Sequence, residues 1–149
     1  MVEIGSSRIL GNLIKQVRKN SDVGLVDTSM LTNVSAPVLC KLERGLSKGD
    51  INTHTSLFRL LPQLGVKVYL GQSEGNSEAV ASKESFAKII RRTRKHQHLS
   101  QSDVASLLDV SIPTLSKLES IKTKNDVRFS IVLKVLSGLG IKLFLKVPE

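Results

Sequence analysis

The sequence predicts a mainly α-helical fold made of two copies of a small helical unit, each ending in a short strand. Three observations predict it. The stretch SAPVLCKLER from Ser35 returns as SIPTLSKLES from Ser111, seventy-six positions later. Apolar residues in both copies fall at helical spacing, and only 66–70 and 141–145 read as strand, with frequent β-branched and aromatic types. With 40% hydrophobic and 23% charged residues the chain is globular, and with 3% aromatics its core must be mostly Leu, Val and Ile.

The repeat extends in both directions. Upstream, Ile14, Arg18, Lys19, Asp27, Leu31 and Val34 match Ile90, Arg94, Lys95, Asp103, Leu107 and Val110 at the same spacing. Downstream, Lys48 and Asp50 match Lys124 and Asp126; one residue is then lost, and LGVKVYL (64–70) aligns with LGIKLFL (139–145) at a spacing of seventy-five. Such a match with a single gap reads as a duplication. Units of this size are each marginal alone and gain by packing together.

The second copy sets out each element in order. Ser82 caps a first helix, with Phe86, Ile89 and Ile90 inward, running to about Gln97. Ser100-Gln101-Ser102-Asp103 resembles a capping box opening a short second helix, in which Val104, Ala105, Leu107 and Leu108 are expected inward. Asp109-Val110 makes a tight turn, and Ser111 caps a third helix with Pro113 in its first turn and Leu115 and Leu118 buried. A fourth helix with Ile131, Val132, Val135 and Leu136 stops at Gly138 or Gly140. A lone strand leaves its backbone groups unpaired, so 66–70 and 141–145 are expected to pair with each other as an antiparallel ribbon. The Gly/Ser-rich GQSEGNSEAVAS (71–82) reads as a flexible linker between domains at 1–70 and 83–149.

The formal net charge of +9 fits a polyanionic partner or a merely basic protein. It is uneven: residues 75–149 carry thirteen Lys/Arg against seven Asp/Glu, and the densest run is Arg91-Arg92-Thr93-Arg94-Lys95-His96. The single cysteine, Cys40, allows no intrachain disulfide and points to a reducing compartment. No signal-peptide h-region and no membrane-length apolar run stands out, so the expectation is a soluble cytoplasmic protein.

Short helix, tight turn and second short helix, framed by other helices, resembles the helix-turn-helix of lambdoid phage repressors and the wider XRE family. The resemblance rests on LSQSDVASLLDVSIPTLSKLE (99–119) and the following KTK. The strand after the last helix makes the chain similar to the HipB-like antitoxin branch, where two separate chains pair their C-terminal strands. The likeness covers nearly all of 83–146 and is weaker over 7–70. It implies two lambda-repressor-like domains, double-stranded DNA as partner, a nucleoid-associated bacterial location and, for the HipB-like branch, a HipA-like kinase toxin.

A recognition helix reads base edges from its N-terminal turns while nearby N–H groups and cations hold phosphate. With Leu115 and Leu118 buried, the outward face of the third helix holds Ile112, Pro113, Thr114 and Lys117; copy one offers Ala36, Pro37, Val38 and Lys41. Apolar groups suit thymine methyls and Lys suits guanine, but Arg, Asn and Gln are missing, so phosphate contacts should supply most of the affinity. The resemblance places Gln101 and the loop residues Lys122, Thr123 and Lys124 on phosphate. Ser111, Ser35 and Lys48 join that set, as do Arg91, Arg92 and Lys95 unless they are simply a solvated helix face. Copy one departs at this point: Leu25 replaces Gln101, Gly24 replaces Ser100, and its loop reads GLSKGD. It should grip DNA less well.

The resemblance also implies structural ion pairs Arg18–Glu43 and Arg94–Glu119 rather than an Arg94–phosphate contact. His96 and His98 lack further ligands at metal spacing, Cys40 matches Ser116 as a small surface residue, and no nucleophile elbow or phosphate loop occurs. The sequence thus points to a non-enzymatic, cofactor-free regulator acting as a monomeric pseudo-dimer. A regulator without protein partner and a scaffold whose units no longer read DNA are the competing readings.

Overall fold

The computed structural model describes residues 1–32, 34–44, 54–122 and 127–148. Its elements run β1 (Val2–Glu3), α1 (Ser7–Asn20), α2 (Leu25–Thr32), α3 (Ala36–Glu43), α4 (His54–Gln63), β2 (Lys67–Ser73), β3 (Asn76–Val80), α5 (Lys83–His96), α6 (Gln101–Leu108), α7 (Ile112–Leu118), α8 (Phe129–Gly138) and β4 (Lys142–Lys146). The architecture is mainly helical with one small antiparallel sheet.

Local chemistry sets the helix starts. Ser6 and Ser82 accept backbone N–H bonds from Ile9 and Ser85, each at 3.3 Å, and so cap α1 and α5. Ser100 and Asp103 form a reciprocal capping box on α6. Ser35 and Ser111 cap α3 and α7, each with a proline in the first turn, where the missing N–H had no helical partner. Positive φ recurs at matched places: Asp22 (57°) and His98 (58°) leave the first helices, and Gly65 (73°) and Gly140 (77°) leave the fourth. Only the glycines hold that conformation without a Cβ penalty.

The sheet order is β1-β4-β2-β3. At its centre β2 and β4 pair antiparallel, with Lys67 opposite Lys146, Tyr69 opposite Phe144 and Gly71 opposite Lys142. Moving each β2 residue seventy-five places along the chain turns this ladder into itself, with Tyr69–Phe144 as the fixed pair. The outer strands correspond too. Val80 sits opposite Val68, and Ile4 donates its N–H to the Leu143 carbonyl at 2.8 Å; Ala79 faces Tyr69 as Glu3 faces Phe144. Each half therefore contributes a first and a last strand, and each first strand pairs with the other half's last strand.

This corrects the expected linker. Residues 71–82 carry the end of β2, a Glu74-Gly75 turn and all of β3, and the expected two-stranded ribbon is a four-stranded sheet. The cause is backbone chemistry: a bare β2–β4 ribbon leaves two edges of unpaired N–H and C=O groups, and β1 and β3 cover them. At Gly71 a Cβ would lie 2.1 Å from the Asn76 carbonyl oxygen, so the close approach of the two strands there needs glycine.

One continuous core joins both halves. Ile14, Leu39, Leu60 and Leu70 from the first half and Ile90, Leu115, Leu136 and Leu145 from the second are at most 1% exposed. Phe58 of α4 meets Phe86 of α5 edge-on, ring centres 5.5 Å apart, across the junction. No described helix is long and apolar enough to cross a membrane.

Leu107 was expected inward and is 70% exposed. Val104 and Ala105 are buried and Leu108 half-buried, which fills the inner face of this short helix and leaves Leu107 on its outer side. Its counterpart Leu31 is likewise 60% exposed.

Candidate nucleic-acid interface

α6, the turn at Asp109 and α7 form a helix-turn-helix. Asp109 adopts the left-handed conformation (φ 54°), and the Val110 N–H returns to the Ala105 carbonyl at 3.1 Å, so the chain reverses within two residues. Burial of Leu115 and Leu118 orients α7 and leaves Ile112, Pro113 and Lys117 exposed, with Thr114 half-buried. The Thr114 hydroxyl is engaged with Ser111 Oγ at 2.7 Å, so what it offers outward is chiefly its methyl group. On α3 Pro37 and Lys41 are exposed, while Ala36 and Val38 are half-buried.

Behind the helix-turn-helix lies a fork of charge. Arg94 donates Nε and Nη2 to the two Glu119 oxygens, both at 2.8 Å, and Nη1 to the Leu99 carbonyl at 2.8 Å. Arg18 does the same with Glu43, at 2.8 Å twice, and with the Val23 carbonyl at 3.0 Å. Arg94 and Glu119 are only 10% and 5% exposed. The hydrogen bonds that the arginines donate to Glu119 and Glu43, with the carboxylate charge, outweigh burial and raise both arginines above their ordinary value. These arginines clamp the first helix to the third and are turned away from solvent.

The cationic side chains sort by position. Arg91 and Lys95 are exposed on α5 one turn apart, and Lys122 is exposed after α7. Arg92 is paired with Glu78 of β3, which offsets its charge and draws it toward the sheet. Gln101, in the first turn of α6, is half-buried, and Ser111 and Ser35 are occupied as helix caps. Lys48, Thr123 and Lys124 lie outside the described residues. Among the described residues no three His, Cys, Asp or Glu side chains converge as a metal would require.

The halves differ most at α2. Its Val26, Met30 and Leu31 are 66%, 80% and 60% exposed, where α6 carries Ser102, Ser106 and Leu107. Its buried positions are Thr28 and Thr32, whose hydroxyls bond back to the Gly24 and Thr28 carbonyls at 2.9 and 2.7 Å. The sequence shows Leu25 and Gly24 in place of Gln101 and Ser100 but not this reversal of polarity. Sequence reasoning also missed Lys83, which is 4% exposed at the start of α5. The polar Thr residues and the lone Lys carried no periodic signal that could have exposed either.

No curated protein and no solved structure matches the chain. Residues 90–145, from within α5 to β4, match the helix-turn-helix family model HTH_3, a DNA-binding regulatory domain.

Proposed function

We propose that the protein is a transcription regulator that binds double-stranded DNA as a single-chain pseudo-dimer, α7 entering one major groove and α3 the next. The observation that carries this is the β2–β4 ladder, whose register is unchanged when the two halves are exchanged. A symmetric oligomer has such a self-complementary contact; within one chain it supports an internal duplication about a pseudo-two-fold axis at Tyr69–Phe144. Matched helix boundaries support it too: α1 and α5 begin and end seventy-six residues apart, as do α2 and α6. Covalent linkage makes the second contact intramolecular and removes the concentration dependence of dimerisation.

Because Ile112 and Thr114 differ from Ala36 and Val38, the preferred site is an imperfect palindrome. Selection from a random duplex library tests this. Two related half-sites spaced by about one helical turn, roughly ten base pairs, are expected. One half-site alone would show that the first half does not read DNA, and no enrichment would remove the proposal.

A second reading is favoured by α2. Val26 and Met30 in place of Ser102 and Ser106, beside the exposed Leu31, suit protein contact better than phosphate, which fits a first half kept for assembly or partner binding. An antitoxin role with a HipA-like kinase as partner rests on the family resemblance alone. Copurification of a second chain would support it.

A further inference from the structure

Lys83 is a buried ammonium that opens a helix, where the macrodipole disfavours positive charge. Its Nζ donates to the carbonyls of Lys117 at 3.4 Å, Ser120 at 2.7 Å and Lys122 at 2.5 Å. Lys117 lies in the last turn of α7, Ser120 just beyond it, and Lys122 in the segment that follows. The end of a helix leaves carbonyls without intrahelical partners and carries partial negative charge. An ammonium has three N–H donors and no acceptor, so one buried cation can serve all three oxygens.

We propose that Lys83 is a positioning residue for DNA binding. It ties the exit of the recognition helix to the segment after it and thereby fixes where Lys122 presents its charge to phosphate. This rests on the DNA-binding reading above. The first half has Ser7 at the matching position, a side chain too short to span the same gap. Among the described residues such a tether occurs only in the second half, and it makes that half the tighter of the two heads.

The test compares wild type, K83M, K122A and the double variant on the duplex that wild type selects, across a salt series. K83M is expected to bind about tenfold more weakly at moderate salt, with the slope of log K against log salt shallower by roughly one phosphate contact. The double variant should bind no worse than K83M, because Lys83 acts through Lys122. A structural role alone would not produce that non-additivity. Thermal melts restrict the comparison to folded protein, and K83Q, which keeps an amide donor group, takes over if K83M does not fold. Equal affinity and slope for K83M and wild type, or losses at 83 and 122 that simply add, would overturn the inference and leave the DNA-binding reading standing. Wild type without salt-dependent affinity for any duplex removes both.

Discussion

Replacing Glu119 by Gln removes one charge and little volume from the clamp between α5 and α7. Arg94 is held above its ordinary value by Glu119 and stays charged at any working pH, so E119Q leaves a guanidinium about one-tenth exposed with the Leu99 carbonyl as its remaining strong acceptor. Breaking a buried pair in this way costs about 3–5 kcal/mol. The new amide oxygen can still accept one of the two bonds, worth roughly 1 kcal/mol, which places the expected loss near the lower end, about 3 kcal/mol. For a chain of this length that lowers the melting temperature by roughly 6–12 °C. Removing both charges in R94M/E119L leaves no stranded ion and should recover most of the loss, because a well-packed apolar pair is often as stable as the ion pair. Urea and thermal denaturation read both variants. E43Q should behave like E119Q, since the Arg18–Glu43 fork has the same geometry and nearly the same burial. An E119Q loss under about 1 kcal/mol, or a double variant as unstable as E119Q, would refute the reasoning that an uncompensated buried charge sets the magnitude.

G11A should destabilise by about 1–3 kcal/mol in urea titrations, because a Cβ at Gly11 would meet the Leu42 carbonyl oxygen at 2.0 Å and force α1 away from α3; an unchanged midpoint would contradict that close approach. The N–H and hydroxyl of Ser100 hold the Asp103 carboxyl below its ordinary value. A depressed folded pKa gives stability present above the unfolded value, about 3.9, and lost as the pH falls through the lower folded one. The stability difference between wild type and D103N should therefore hold at neutral pH and shrink only below about pH 4, and a difference that fades between pH 5 and 8 would exclude the capping box as its source. A protease site inserted between Glu74 and Gly75 should, once cut, leave the two fragments co-eluting, since β2–β4 and the shared core hold them; fragments separating at micromolar concentration would show that the turn itself holds the halves together. L107S should change stability by less than about 0.5 kcal/mol, as expected for an exposed side chain.

Much of this architecture was legible in the sequence because it is written locally. A Ser cap acts on an N–H three residues away, a proline acts in its own turn, and a buried Leu stripe repeats at helical spacing, so α5, α6 and α7 and the exposed Ile112, Pro113 and Lys117 of α7 follow from short windows. The central β2–β4 pairing was also legible, because apolar strand character returned with the repeat. Tertiary structure alone decided the rest. β3 buries little beyond Val80 and earns its place through backbone bonds to β2, which leave no side-chain pattern in a Gly/Ser-rich stretch. Leu107 faces outward because Val104, Ala105 and Leu108 already fill the inner face of an eight-residue helix. Lys83 is buried because three carbonyls at least thirty-four residues away converge on it. Interactions that close within one helical turn can be read from neighbouring residues, whereas an edge strand or a buried charge is stabilised only by groups that folding brings from far along the chain.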